Sequence, residues 1–211
     1  MKRREFTLAA AAAALPGLMS LPAHAQSGKG YTELSPRAPV DAPAGQIEVV
    51  EFFSYGCPHC MHFEPIMDAW VKTLPKDVAF RRVHVGFQSN FAPLQKIFYT
   101  LEAMGKVDAA MQDKVFKALQ TDRINLTKPE VLFPWAAKQG LDQAKFESTY
   151  NSFGVATQLR KAVQLQDAYK VEGTPALGIA GRYYTDGSMG GGFEPMIKIA
   201  NQLIEQVRKG A

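Results

Sequence analysis

Residues 47–60 read IEVVEFFSYGCPHC, and this stretch decides the fold. Residues 47–53 form a β-branched and aromatic run, which is typical of a strand buried on both faces, and residues 54–56 predict a turn. Five apolar residues then recur at helical spacing: Phe63, Met67, Trp70, Val71 and Leu74. This spacing predicts a helix that begins near Cys57, with Pro58 in the first turn, where a missing N–H does no harm. The two cysteines therefore lie where a buried strand gives way to a helix.

Cys57 and Cys60 are the two cysteines of the chain. A disulfide between them would close a loop of about four residues and contribute about 2 kcal/mol, against about 4.7 kcal/mol for a loop of about 100 residues. A bond so placed is a poor structural staple, so the pair indicates redox chemistry or metal binding. The helix N-terminus favours the Cys57 thiolate, and His59 would add to this effect. A lower thiolate pKa stabilises the reduced form and makes the disulfide a stronger oxidant. We expect His62 to be a solvated helix residue and His84 a strand-end residue.

The composition is that of a folded globular protein, with 211 residues, 46% of them hydrophobic and 21% charged. The balance of 24 basic against 20 acidic residues gives no support to a nucleic-acid partner. Residues 1–25 predict an export signal, with a basic start at residues 2–4, an apolar run at residues 8–21, and small residues at Ala23 and Ala25. The sequence leaves the Sec and twin-arginine routes open. Export would place the rest of the chain in an oxidising compartment.

A second motif, VEGTPA at residues 171–176, precedes residues 176–180, which predict a strand. Pro175 at a strand start has no N–H to offer the ladder, and its X-Pro bond is a candidate for the cis isomer. Together with residues 50–60 (VEFFSYGCPHC), this motif resembles the DsbA family of exported thiol:disulfide oxidoreductases of Gram-negative bacteria. The resemblance covers nearly the whole chain after residue 25.

The resemblance implies a periplasmic α/β protein with a thioredoxin-like fold and an inserted all-helical domain. It implies that a cis Pro175 faces the cysteines, and that Thr174 pairs its backbone with an extended substrate, a form of strand addition. Glu51 lies in a strand that we interpret as buried, and buried acids favour functional sites. By resemblance, Glu51 exchanges protons with Cys60. The expected site is a redox-active Cys57–Cys60 disulfide with Pro58, His59 and Glu51 as further catalytic residues and Thr174 and Pro175 binding substrate.

The middle of the chain explains its length. Residues 78–85 predict a strand, and the apolar spacing from residue 91 to about 153 is helical. Residues 183–185 predict a strand, 187–192 a flexible loop and 193–208 a closing helix. The expected organisation is a signal peptide at 1–25, an N-terminal extension at 26–46, a thioredoxin-like domain whose halves span 47–86 and 154–211, and a helical insertion at 87–153.

Three functions fit these features. The first is an oxidase that donates the Cys57–Cys60 disulfide to newly exported or unfolded proteins through a mixed disulfide at Cys57. By resemblance, a quinone-linked membrane partner of the DsbB type reoxidises it. The second is a reductase or isomerase of the same fold, to which Thr174 gives some weight because residues at that position tune redox behaviour. The third is a metal carrier that uses the cysteines with Met61 and His62. We favour the oxidase, acting as a monomer without a cofactor or a bound metal.

Overall fold

The strand predicted at residues 47–53 lies inside a five-stranded sheet. The structure is a computed structural model that describes residues 30–210, so the predicted signal peptide lies outside the described residues. The strands are β1 (Thr32–Glu33), β2 (Ile47–Phe53), β3 (Val78–His84), β4 (Ala176–Ile179) and β5 (Tyr183–Asp186), in the sheet order β1-β5-β4-β2-β3. The α-helices of the described residues are α1 (Pro58–Val71), α2 (Ala92–Ala103), α3 (Ala109–Phe116), α4 (Pro129–Lys138), α5 (Gln143–Tyr150), α6 (Phe153–Tyr169), α7 (Gly187–Gly190) and α8 (Phe193–Arg208). A 3-10 turn at Ser89–Phe91 precedes α2, and a π-helical turn at Lys117–Thr121 continues α3.

The sheet topology brings distant segments to one edge. Strand β2 pairs in parallel with β3 and antiparallel with β4, and β4 pairs antiparallel with β5. Helix α1 connects β2 to β3, and helices α2 to α6 stand between β3 and β4. The carboxyl ends of β2 and β3 and the start of β4 therefore meet at the same edge. Cys57, which follows β2, and Thr174, which precedes β4, come together there.

The two faces of β2 belong to two hydrophobic cores. Val49 lies in a core with Phe63 of α1 and Met196 of α8. Val50 and Phe52 lie in the core that the helical insertion covers. All seven residues of β2 are buried, which confirms the predicted strand covered on both faces.

Helix α6 connects the insertion to the sheet. It packs against α2 and α5, and its last residue, Tyr169, places its ring centroid 5.1 Å from that of Phe52. The Tyr169 hydroxyl accepts a hydrogen bond from the N–H of Gly181 at 2.9 Å. A Cβ added at Gly178 would lie 2.4 Å from the Tyr169 ring, so this close approach requires glycine in β4. The predicted domain division between residues 153 and 154 falls at the start of α6.

Two segments differ from the simple sequence pattern. The N-terminal extension contains β1, which pairs antiparallel with β5; a strand of two residues is too short to show a periodicity. The loop prediction is wrong for residues 187–190, which form α7. The Asp186 carboxylate caps this helix, because it accepts hydrogen bonds from the N–H groups of Ser188 and Met189 at 2.9 and 2.8 Å.

Candidate active site

Cys57 and Cys60 lie at the start of α1, where the sequence predicts them. Cys57 is the N-cap residue and Pro58 the first helical residue. The Cys57 N–H donates to the Ser54 carbonyl at 3.0 Å, and the Cys60 N–H donates to the Cys57 carbonyl at 3.1 Å. Both cysteines are free thiols; Cys57 is half-buried, whereas Cys60 is only 1% exposed. The sulfur that a partner can reach is therefore that of Cys57.

The two thiols differ strongly in acidity. Hydrogen bonding with the Cys60 side chain is the main cause that lowers the pKa of Cys57 to about 5, and burial opposes it. The Thr174 side chain and the backbone N–H groups of Cys60 and His59 also lower the Cys57 pKa. Burial raises the pKa of Cys60 above its ordinary value, and hydrogen bonding and charge at Cys57 add to this. At neutral pH Cys57 is a thiolate and Cys60 a thiol.

Pro58 and His59 are exposed on the first turn of α1. The backbone N–H of His59 is among the groups that lower the pKa of Cys57. His59 also lines a cavity of about 360 Å³, together with Thr174, Pro175 and Phe193. The structure thus brings the backbone of His59 to the sulfur, while a contribution from its imidazole stays a prediction.

Thr174 lies next to Cys57 at the edge of the sheet, and Pro175 follows it in the chain. The peptide bond between Thr174 and Pro175 is cis, as the sequence predicts. The Cys57 sulfur lies 3.3 Å from the Thr174 carbonyl oxygen, to which the Cys57 thiol donates a hydrogen bond when it is protonated. A second cavity, of about 300 Å³, is lined by Cys57 and Thr174 with Phe87 and Phe91. Thr174 therefore borders both cavities.

Glu51 is a buried acid, as predicted, and it belongs to an ion-pair cluster between β2, β3 and α1. Arg82 of β3 lies opposite Glu51 in the parallel register. The Arg82 guanidinium contacts Glu51 at 2.8 Å, Glu64 at 2.7 Å and Asp68 at 3.4 Å. The Arg82 side chain is 9% exposed. Among the residues the structure describes, the Oε1 atom of Glu51 has no hydrogen-bond partner.

Three carboxylates around one guanidinium carry an excess of negative charge. Burial raises the pKa of Glu51, and the charge of Arg82 opposes this shift. Burial, and next the charge of Glu51, raise the pKa of Glu64 to about 8. Near neutral pH, the Glu51–Glu64 pair therefore retains a proton, which belongs to the pair rather than to either residue.

Comparisons with known proteins agree with this geometry. A model of the DSBA-like thioredoxin domain matches residues 77–203. The chain is 42% identical to the thiol:disulfide interchange protein DsbA of Bordetella parapertussis over 212 residues, which covers 99% of this chain and 100% of that protein. It is 40% identical to the Pseudomonas aeruginosa protein of the same name, over 100% of this chain and 99% of that one.

This chain belongs to the DsbA family. The crystal structure of Pseudomonas aeruginosa DsbA matches it with a TM-score of 0.83 at 43% identity, covering 87% of this chain and 94% of that one. The predicted fold is confirmed: a thioredoxin-like fold with an inserted helical domain. The predicted enzyme class is confirmed as well, because the chain is a protein thiol:disulfide oxidoreductase of the DsbA family.

The partners of Arg82 on α1 are two acidic residues, Glu64 and Asp68, that the sequence analysis did not single out. Cys60, Glu64 and Asp68 recur every four residues on α1, so they share one helix face. That spacing is readable from the sequence. The place of Arg82 is not, because it depends on the parallel register between β2 and β3.

His84 ends β3, as expected, but it is fully buried and supports the active-site turn. Its Nε2 accepts a hydrogen bond from the Tyr55 N–H at 3.1 Å, and its Nδ1 lies 2.9 Å from the Val85 carbonyl oxygen. The proton is therefore on Nδ1. Burial lowers the pKa of His84 to about 3, so the ring is neutral. His62 is exposed on α1, as expected.

Within residues 30–210, none of the helices combines the length and the apolar character needed to cross a membrane. In the same range, no group of three or more His, Cys, Asp or Glu side chains is arranged to hold a metal ion.

Proposed function

We propose that this chain is a periplasmic oxidase that donates the Cys57–Cys60 disulfide to newly exported and unfolded proteins. The Cys57 thiol supports this most directly, because it is half-buried at a helix N-terminus and its pKa is lowered to about 5. A stabilised thiolate favours the reduced form, so the disulfide is readily given to a partner. The predicted signal at residues 1–25 would deliver the chain to the periplasm, where we expect it to act as a monomer.

The proposed reaction is a pair of thiol–disulfide exchanges. A substrate thiolate attacks the Cys57 sulfur, the Cys57–Cys60 bond breaks, and Cys60 leaves with the electron pair and takes up a proton. A second thiolate of the substrate attacks the substrate sulfur of the mixed disulfide and expels Cys57 as a thiolate. Two substrate thiols are thereby oxidised to one disulfide, and the protein disulfide is reduced by two electrons. Cys57 suits this role because a thiol of low pKa is a good leaving group.

Glu51 is the proposed source of the proton that Cys60 takes up. Cys60 is buried and its pKa is raised, so its thiolate is costly in this environment. The Glu51–Glu64 pair retains a proton near neutral pH, and Arg82 holds Glu51 in place. The proton would return to this pair when a quinone-linked membrane partner of the DsbB type reoxidises the dithiol.

Substrate would bind along the cis-proline segment. An extended chain can pair its backbone with Thr174, as strand addition requires. The two cavities that Thr174 borders would receive apolar side chains, since one is lined by Phe193 and the other by Phe87 and Phe91. Phe87 is 37% exposed, which leaves its ring available to a partner.

Three measurements test the proposal. Incubated with a reduced, unfolded protein, the oxidised chain should introduce disulfides and become a dithiol. In glutathione buffers that leave thioredoxin-like reductants oxidised, this chain should be largely reduced at equilibrium. The Cys60→Ala variant should trap mixed disulfides, because the thiol that would expel the substrate is missing, and the matched Cys57→Ala variant should trap none. If the protein disulfide persists in reducing glutathione buffer and the dithiol form reduces substrate disulfides, the reductase hypothesis would replace the oxidase hypothesis.

A further inference from the structure

Gln120 reaches from the helical insertion to the backbone beside Cys57. Its Nε2 amide donates to the Tyr55 carbonyl at 2.8 Å and to the Cys57 carbonyl at 3.0 Å. An amide nitrogen carries two hydrogens, so both donors are used on carbonyls that flank Gly56. This single side chain therefore ties the two sides of the active-site turn together.

The segment that carries Gln120 is unusual. Residues Lys117–Thr121 form a π-helical turn at the end of α3, closed by a hydrogen bond from the Asp122 N–H to the Lys117 carbonyl at 2.9 Å. Isolated π-helical turns are rare and occur frequently at functional sites. Ala118 anchors the turn, because it is buried in the core beneath the insertion. The turn thus gives Gln120 a fixed base from which to reach the edge of the sheet.

The carbonyl that Gln120 holds belongs to the N-cap residue of α1. The Cys57 carbonyl also accepts the first helical hydrogen bonds, from Cys60 N–H at 3.1 Å and Met61 N–H at 3.3 Å. Its position therefore sets the first helical turn, whose N–H groups interact with the Cys57 sulfur. On the other side of Tyr55, His84 accepts the Tyr55 N–H. Strand β3 therefore holds the turn through the Tyr55 N–H, and the insertion holds it through the Tyr55 and Cys57 carbonyls.

We propose that Gln120 is a positioning residue for the Cys57 sulfur: its amide fixes the active-site turn and the first turn of α1, so that the backbone N–H groups are already aimed at the thiolate. This role rests on the proposed function of Cys57 as the reacting cysteine. In the oxidised form the covalent bond to Cys60 already holds the Cys57 sulfur. The hydrogen bonds of Gln120 therefore matter more to the reduced form, and their loss should make the protein a weaker oxidant.

The Gln120→Met variant tests the proposal, because it keeps the length of the side chain and removes both donors. We expect the pKa of Cys57, followed by the ultraviolet absorbance of the thiolate, to rise. The equilibrium with glutathione should shift toward the protein disulfide by about three- to ten-fold, the size expected for the loss of one net hydrogen bond. The shorter Gln120→Asn variant, which keeps the amide but not its reach, should give a smaller shift of the same sign.

The matched control is Gln166→Met. Gln166 of α6 also connects the helices to the sheet edge, since its Oε1 accepts the Gly86 N–H at 2.8 Å, but it does not hold the active-site turn. This control should lower the unfolding free energy of both redox forms and leave the Cys57 pKa and the glutathione equilibrium unchanged.

The outcomes separate two failures. A low Cys57 pKa in the wild type with unchanged pKa and equilibrium in both Gln120 variants would overturn the positioning role alone. An ordinary Cys57 pKa in the wild type would instead overturn the oxidase proposal on which that role rests.

Discussion

Lowering the pH from 7 to 5 should destabilise the reduced form of this protein relative to its oxidised form. The pKa of Cys57 is about 5 in the folded dithiol, against 9.0 for an unperturbed thiol. A group whose folded pKa is depressed contributes stability that is complete above the unfolded pKa and is lost as the pH falls through the folded pKa. Between pH 7 and pH 5 the loss is up to about 2 kcal/mol, at about 1.36 kcal/mol per unit. Because Cys57 is only half-buried, solvent screening reduces this to about 1 kcal/mol.

The oxidised form provides the reference. It has no Cys57 thiol to ionise, whereas the other buried titrating groups, such as Glu64 and His84, are common to both forms and largely cancel in the difference. The loop-closure contribution of the disulfide does not depend on pH. The melting temperature of the reduced form should therefore fall relative to that of the oxidised form by roughly 2 to 4 °C, the shift that about 1 kcal/mol produces in a chain of this size.

Thermal melts of both forms at the two pH values, followed by circular dichroism, measure this shift. The Cys57→Ser variant is the control, because it keeps the thiol of Cys60 and removes the acidic one. It should melt with the pH dependence of the oxidised protein. A gap between the reduced and oxidised melting temperatures that is the same at pH 5 and pH 7 would refute the reasoning.

Three further predictions follow from the same site. Replacing Arg82 with Met should lower the unfolding free energy by about 3 to 5 kcal/mol, measured by urea titration, because it leaves buried carboxylates unpaired. Adding the Glu51→Gln substitution should recover part of this loss, and no recovery would show that the buried charges are not its cause. The unfolding free energy should decline below about pH 6.5 by up to about 1.4 kcal/mol per pH unit, because His84, with a folded pKa of about 3, stays neutral while the unfolded chain binds a proton. The His84→Gln variant should flatten this decline, and an unchanged slope would show that His84 is not its cause. Replacing His59 with Ala should raise the Cys57 pKa yet leave it below 7, because the hydrogen bond with the Cys60 side chain and the backbone N–H groups remain. A pKa near 9, measured by the pH dependence of alkylation, would show that the imidazole is the main cause.

Several features of the active site are readable without coordinates, because they depend on local order along the chain. The period of the apolar residues after Cys57 predicts α1, and the β-branched run before it predicts β2. The position of Pro58 at the first helical residue follows from that junction. Pro175 before a short apolar run predicts the strand start at β4 and a cis bond. For each of these, the deciding interactions span only a few residues.

Other features are absent from any local pattern. The acid at Glu51 can be predicted as buried, but its partner Arg82 is separated from it by the whole of α1 and becomes a neighbour only when β3 pairs in parallel with β2. Strand β1 is two residues long and exists because β5 offers it an edge. The helix at residues 187–190 depends on the Asp186 cap, so it is marked in the sequence by one side chain rather than by a periodic apolar pattern.

The sequence by itself therefore determined the reacting pair, the helix that holds it, the buried strand before it and the presence of a helical insertion. These follow from spacing, turn residues and apolar periodicity, which act between residues close in the chain. The tertiary structure alone decided the contacts around this pair: the Thr174 carbonyl at the Cys57 sulfur, the guanidinium of Arg82 at Glu51, and the amide of Gln120 at the Tyr55 and Cys57 carbonyls. Those contacts arise from strand register and from the packing of the insertion on the sheet. Both are set by burying the whole core at once, so no single segment of the sequence specifies them.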